Sequence, residues 1–206
     1  MFTLHINPSV VKLYTFALDN GSELSDTGAL ISYSGEYTGR KPDWKRIVLD
    51  EHTQNIWWGE VNKPINTSTF NKAKKIAYDK LFSKSHHKNT FCMNAYINWH
   101  PDYKRKIKLY TDNPYHALFF YNMTIPTDEN FLIDEVDMCI YDSGDSQYIP
   151  DKTYKESGIV ALNFTGKEFV ILGTRYAGEI KKGLLTYMMY QMPLLNCLTL
   201  HSSANI

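Results

Sequence analysis

Two apolar, β-prone runs, 158–164 and 168–172, stand on either side of Gly166-Lys167, and so short a gap leaves room only for a tight turn between two strands. No other local feature constrains the fold as much. Paired strands belong to a sheet, and a sheet must be covered by helices or by another sheet. Residues 179–191 supply one covering helix, with Leu184, Tyr187 and Met188 on a common face. Residues 67–83 supply another, in which Phe70, Ala73, Ile76, Ala77 and Leu81 recur at helical spacing while lysines occupy the outer face.

The rest of the chain intermixes the two kinds of element. Residues 89–97 and 105–111 read as strands, and Pro114 precedes an aromatic-rich helix through Met123. Pro126-Thr127-Asp128 signals a further short helix, and 133–140 alternates as a half-buried strand does. Residues 27–34, 47–49 and 195–200 are shorter strand candidates, with Pro193 separating the last from the preceding helix. Residues 1–20 read as a helix starting near Asn7-Pro8-Ser9, with Val11, Tyr14 and Leu18 on one face, and 141–157 is the clearest loop. Strands and helices do not strictly alternate, so the expectation is a single mixed α/β domain over residues 1–206.

Composition narrows the function classes. Twenty-two basic residues balance twenty-two acidic ones, so no net field draws the chain to nucleic acid or an anionic membrane. The basic run Lys104-Arg105-Lys106-Ile107-Lys108 reads as an exposed strand face. Cys92, Cys139 and Cys197 lack C-x-x-C spacing and imply neither a disulfide framework nor a zinc ribbon. The start has no signal-peptide pattern, and no run of about twenty apolar residues suggests a membrane span. A cytoplasmic protein is the expectation.

Chemistry concentrates in Gly173-Thr174-Arg175-Tyr176-Ala177-Gly178-Glu179-Ile180-Lys181-Lys182-Gly183, and His201 follows nineteen residues after Lys182. Lysines near a helix start are unusual, because the helix dipole favours cations at the other end. The set suits binding of an anion and a metal. For a lysine to ligate a metal its amine must be neutral, which burial, a neighbouring cation or the metal itself can bring about.

These residues closely resemble the ATP-dependent phosphoenolpyruvate carboxykinases, whose pattern here reads G-T-x-Y-[AG]-G-E-M-K-K-G and then M-H-C-S-A-N. Further blocks in the family's order are similar: Ser25-Asp26-Thr27-Gly28-Ala29-Leu30, Tyr37-Thr38-Gly39-Arg40-Lys41-Pro42, Asn55-Ile56-Trp57-Trp58-Gly59, Tyr115-His116-Ala117-Leu118-Phe119 and Ala161-Leu162-Asn163-Phe164-Thr165. The resemblance implies a reaction in which oxaloacetate and ATP become phosphoenolpyruvate, carbon dioxide and ADP. It implies that Arg40 holds the substrate carboxylate, that Tyr176 lies against the substrate, and that the backbone at Gly178 lets the ligand approach. Lys182 and His201 would ligate Mn²⁺ or Mg²⁺, and Lys181 would neutralise substrate and phosphate charge. Trp57-Trp58 reads as core and loop anchoring, His116 as a satisfied buried histidine, and Glu179 as a helix cap or the partner of a nearby lysine.

The family's phosphate-binding loop, G-x-x-G-x-G-K-[ST], has no match in these 206 residues. The expectation is therefore a substrate-binding half, inactive by itself, with the ATP site on a missing C-terminal domain or a second polypeptide. Two other readings stand beside it: a non-catalytic dicarboxylate-binding or regulatory module, and an inactive gene fragment. The nearly uncharged stretch 184–195 predicts self-association or a partner. Several family positions are changed. Its D-A-[FY]-x-G appears as Asn94-Ala95-Tyr96-Ile97-Asn98, its A-R-x-Y-H as Asp112-Asn113-Pro114-Tyr115-His116, its I-R-P as Ile125-Pro126, and position 41 is lysine in place of serine.

Overall fold

Main-chain pairing organises the molecule around one mixed nine-stranded sheet, seen in a computed structural model that describes residues 2–83, 89–148 and 157–203. The elements are β1 (Thr3–Ile6), α1 (Val10–Asp19), β2 (Glu23–Leu24), β3 (Leu30–Ile31), β4 (Lys45–Val48), β5 (Lys63–Ile65), α2 (Thr67–Leu81), β6 (Asn89–Ile97), β7 (Arg105–Thr111), α3 (Pro114–Met123), β8 (Ile125–Pro126), β9 (Met138–Ser143), β10 (Ile159–Asn163), β11 (Glu168–Leu172) and α4 (Gly178–Gln191). The sheet order is β1-β6-β7-β9-β11-β10-β4-β5, with β8 beside β6; β2 and β3 form a separate pair. The mixed α/β architecture is as the sequence implies.

The turn at Gly166-Lys167 does join an antiparallel pair, Ile159↔Leu172 through Asn163↔Glu168. Lys167 turns the chain at φ 53, and the Gly166 N–H donates to Asn163 Oδ1 at 2.9 Å. β11 runs parallel to β9, and β10 runs parallel to β4. Both central strands are therefore covered on both faces. One face carries Ile140, Leu162, Phe169 and Ile171 against α3 and α4, and the other carries Tyr141, Ala161, Val170 and Leu172 against α2.

Several expectations need correction. The first helix starts at the expected Ser9 cap, but β1 precedes it; Leu13 and Ala17 form its buried face, whereas Val11 is 76% exposed and Leu18 is also exposed. A helix presents one face to its neighbour, and the contact with α3 selects the i, i+4 pair in place of Val11 and Leu18. The 27–34 strand shrinks to Leu30–Ile31. At 126–128 no helix forms, because Ile125–Pro126 pairs with β6. The strand expected at 133–140 begins at Met138, and all six of its residues are buried, as befits a strand between two helical layers. Residues 196–200 hold no strand.

Lys108 is not on an exposed face. It is 3% exposed on central β7, donating to Asn130 Oδ1 at 3.0 Å beside Cys92 Sγ at 3.6 Å. Trp57 is 90% exposed and Trp58 alone of the pair packs on the core. Residues 141–143 of the expected 141–157 loop belong to β9, and its residues 149–156 lie outside the described residues, as does the Ala204-Asn205 pair. Among the described residues no helix is long and apolar enough to cross a membrane.

Candidate functional site

Helix α4 organises the site. Its buried stripe, Ile180, Gly183, Leu184 and Tyr187, seats it on the sheet, and at Gly183 there is no room for more than hydrogen: a Cβ would meet Phe169 Cε1 at 2.2 Å. At about 100° per residue, Glu179, Lys182 and Thr186 then share one flank. Lys182 is half-buried on that flank, and Lys181, one residue earlier, is exposed and diverges from it.

Two contacts bring distant residues to this flank. Glu179 is buried and accepts the Lys41 N–H at 2.7 Å through Oε1, while its Oε2 lies 3.6 Å from Arg40 Nε. Lys182 Nζ and His201 Nε2 are 3.1 Å apart. Arg40 and His201, far apart in sequence, are thus tied to α4 three residues from each other. Burial pushes the Glu179 carboxyl above its ordinary pKa; the Lys41 N–H and the Arg40 charge oppose that shift. Burial, and then the charge of Arg40, push the half-buried Lys45 amine down from its ordinary value. Lys45 also donates to Asn62 Oδ1 at 2.8 Å. Cations therefore crowd this corner, with one buried carboxylate among them.

Tyr176 is half-buried at the entry to α4, its N–H donating to Thr174 Oγ1 at 3.1 Å. A Cβ on Gly178 would lie 2.5 Å from Tyr176 Cε1, so the glycine is what lets the ring fold over the helix start. The turn before it is held from below. His116 is buried, with Nδ1 2.6 Å from Asp142 Oδ2 and Nε2 2.7 Å from the Arg175 carbonyl. Both neighbours are acceptors, so both ring nitrogens must donate and the imidazole carries a proton. Burial works against that charge; Asp142 outweighs it, with help from the Arg175 carbonyl, and the His116 pKa is raised. Thr111 also donates to Asp142, at 2.9 Å.

The arrangement has the means to hold a carboxylate and a cation side by side. Two cis ligands about 2.1 Å from an octahedral ion are separated by about 3.0 Å, and the Lys182–His201 nitrogens fit that spacing. Among the described residues no three His, Cys, Asp or Glu side chains cluster as a metal site, so a metal would rest on this lysine–histidine pair and on ligands from elsewhere.

A phosphoenolpyruvate carboxykinase model matches residues 3–206. The chain belongs to the phosphoenolpyruvate carboxykinase family. It is 42% identical over 208 residues to the phosphoenolpyruvate carboxykinase (ATP) of Neurospora crassa, a match covering 97% of this chain and 33% of that protein. The Candida albicans enzyme of the same name is 44% identical over 194 residues, covering 91% of this chain and 34% of the relative. That of Dictyostelium discoideum is 41% identical over 208 residues, covering 97% and 36%. The chain thus spans about a third of the length of the curated relatives it matches.

Within this member of the family, residue chemistry pointed to the Gly173–Gly183 segment but not to what Glu179 does. The acid follows a helix start whose N-cap, Ala177, makes no side-chain cap bond, and it neither caps the helix nor holds a lysine side chain. Asp142 was missed as well. An acid directly after the apolar run 138–141 was the available signal. Asn98, where the family has glycine, adopts φ 67, a left-handed conformation asparagine tolerates.

Proposed function

We propose that this chain forms the substrate-binding part of an ATP-dependent phosphoenolpyruvate carboxykinase. In that reading oxaloacetate sheds its carboxyl group as carbon dioxide, and the resulting enolate oxygen takes the γ-phosphoryl group of ATP, giving phosphoenolpyruvate and ADP. The observation that carries it is the convergence on one flank of α4 of Arg40, through Glu179, and of the Lys182–His201 pair.

Arg40 would hold the substrate carboxylate, since a guanidinium fork pairs a carboxylate through two parallel hydrogen bonds and a lysine cannot. Tyr176 would lie against the substrate, with the Gly178 backbone left open beside it. Lys181 would balance phosphate and substrate charge from the exposed side. Lys182 and His201 would hold a Mn²⁺ or Mg²⁺ ion, which would supply positive charge where negative charge develops on the enolate oxygen. The nucleotide would be bound by residues outside these 206, where the family's phosphate loop would lie. The whole protein would then be a carboxy-lyase of gluconeogenesis acting in the cytoplasm.

The test is thermal unfolding of the chain with oxalate, an enolate mimic, and Mn²⁺. A rise in Tm that needs both additives and disappears in Arg40→Ala is expected. No rise, or an equal rise in Arg40→Ala, removes the assignment of Arg40 to the carboxylate.

A further inference from the structure

Holding a carboxylate in a set orientation requires more of an arginine than its presence. The side chain has four rotatable bonds, and a site works only if the guanidinium is aimed before the ligand arrives. Glu179 touches both Arg40 and the residue after it. Oε1 accepts the Lys41 backbone N–H at 2.7 Å, which ties down the turn, and Oε2 lies 3.6 Å from Arg40 Nε, an ion pair just beyond hydrogen-bond distance that puts the negative charge on the inner side of the guanidinium. The Nε atom is out of contact with solvent and has no hydrogen-bond partner among the described residues, so its counter-charge is Glu179 Oε2 at ion-pair distance, whereas the Arg40 side chain as a whole is 33% exposed. The exposed part is therefore the outer end, which carries the two terminal nitrogens. Among the described residues those nitrogens pair with no other carboxylate.

A buried carboxylate is costly, and here it performs none of the ordinary duties of an acid at a helix start. The Glu179 side chain is 3% exposed, it does not cap α4, and its contacts reach across 138 positions of sequence. It also stands three residues before Lys182, on the same flank, so whatever it fixes is fixed relative to the Lys182–His201 pair. Lys45 is another cation close enough to feel Arg40, and it donates to Asn62 Oδ1. Among the described residues, Glu179 is the carboxylate that forms an ion pair with Arg40, and so it opposes the mutual repulsion of Arg40 and Lys45.

We propose that Glu179 is a positioning residue: it holds the 39–42 turn and occupies the inner side of the Arg40 guanidinium, so that the outer fork faces a carboxylate ligand in register with Lys182 and His201. The inference rests on the reading that Arg40 binds the substrate carboxylate, and it goes beyond that reading in naming what aims the arginine.

A double-mutant cycle separates the two. Oxalate affinity in the presence of Mn²⁺ is measured by calorimetry for the wild-type chain, Glu179→Gln, Arg40→Ala and the double variant. Glutamine keeps the acceptor for Lys41 and removes the charge facing Arg40. The expected result is about a tenfold loss in Glu179→Gln and no further loss on adding it to Arg40→Ala, the non-additivity expected of groups acting through each other. Wild-type affinity in Glu179→Gln, or an equal loss in both backgrounds, overturns the proposal while leaving Arg40's role intact. Absence of wild-type binding, or wild-type binding by Arg40→Ala, overturns the underlying reading, and the positioning role with it. If Glu179→Gln does not fold, Glu179→Asp takes its place. The shorter acid cannot reach both partners, so a loss that depends on Arg40 supports the proposal, and unchanged affinity refutes it.

Discussion

At Gly178 a missing side chain does two separable things. A methyl group there would favour the folded chain by about 0.4–1 kcal/mol, by restricting the unfolded backbone, yet it would sit 2.5 Å from the edge of the Tyr176 ring. The ring is half-buried and can swing away, so Gly178→Ala should melt at or above the wild-type temperature while binding oxalate with Mn²⁺ less tightly. A variant that loses stability and keeps affinity would contradict this division. His116 is the opposite kind of residue, buried and charged. Its pKa in the folded chain lies above the ordinary value of 6.5, because Asp142 overrides the cost of burial. The proton is then bound more tightly by the folded than by the unfolded state. Its contribution is full below the unfolded value and is lost as pH rises through the folded one. Urea unfolding of the wild-type chain should show stability declining above neutral pH, a slope that His116→Ala abolishes. That variant should also lose about 3–5 kcal/mol, since it leaves Asp142 buried without its cation.

At the scale of elements, α4 depends on Gly183. A Cβ would strike Phe169 at 2.2 Å, and Phe169 is fully buried with nowhere to go. Gly183→Ala should therefore destabilise the chain by about 1–3 kcal/mol from overpacking, more than helix propensity returns; denaturant titration would show it, and a net gain would mean that α4 does not seat this closely. Elements with strong local signals were legible with their boundaries: 89–97, 105–111 and 114–123 match β6, β7 and α3. Those that failed had their fate decided by neighbours. Ile125–Pro126 became a strand because β6 offered it an edge, and residues 196–200 found no partner strand among the described residues. Leu13 won the inner face of α1 over Val11 because α3 lies on that side. Periodicity says that a helix has a face; it does not say which of two apolar stripes meets the core.

For the whole molecule, the unresolved balance is at the surface beyond α4. Trp57, Val61 and Leu194 are exposed around a cavity of about 500 Å³ that Ile56 and Met189 also line, and Leu198 and Leu200 are exposed a few residues further along the chain. Apolar side chains gathered in this way drive association. The 206-residue chain should sediment as a concentration-dependent mixture, and Leu194→Asp combined with Leu198→Asp should shift it toward monomer. A wild-type monomer at all concentrations would refute this. Sequence by itself determined the mixed α/β class, the hairpin at Gly166-Lys167, the family, and the residue types able to bind an anion and a metal, because these follow from local periodicity, turn chemistry and motif. Only the tertiary structure decided that Glu179 faces Arg40, that Lys182 meets His201 while Lys181 turns away, and that Lys108 is buried. Those outcomes depend on which strands pair and which helix face meets the sheet, and contacts spanning up to 138 residues leave no mark on local pattern.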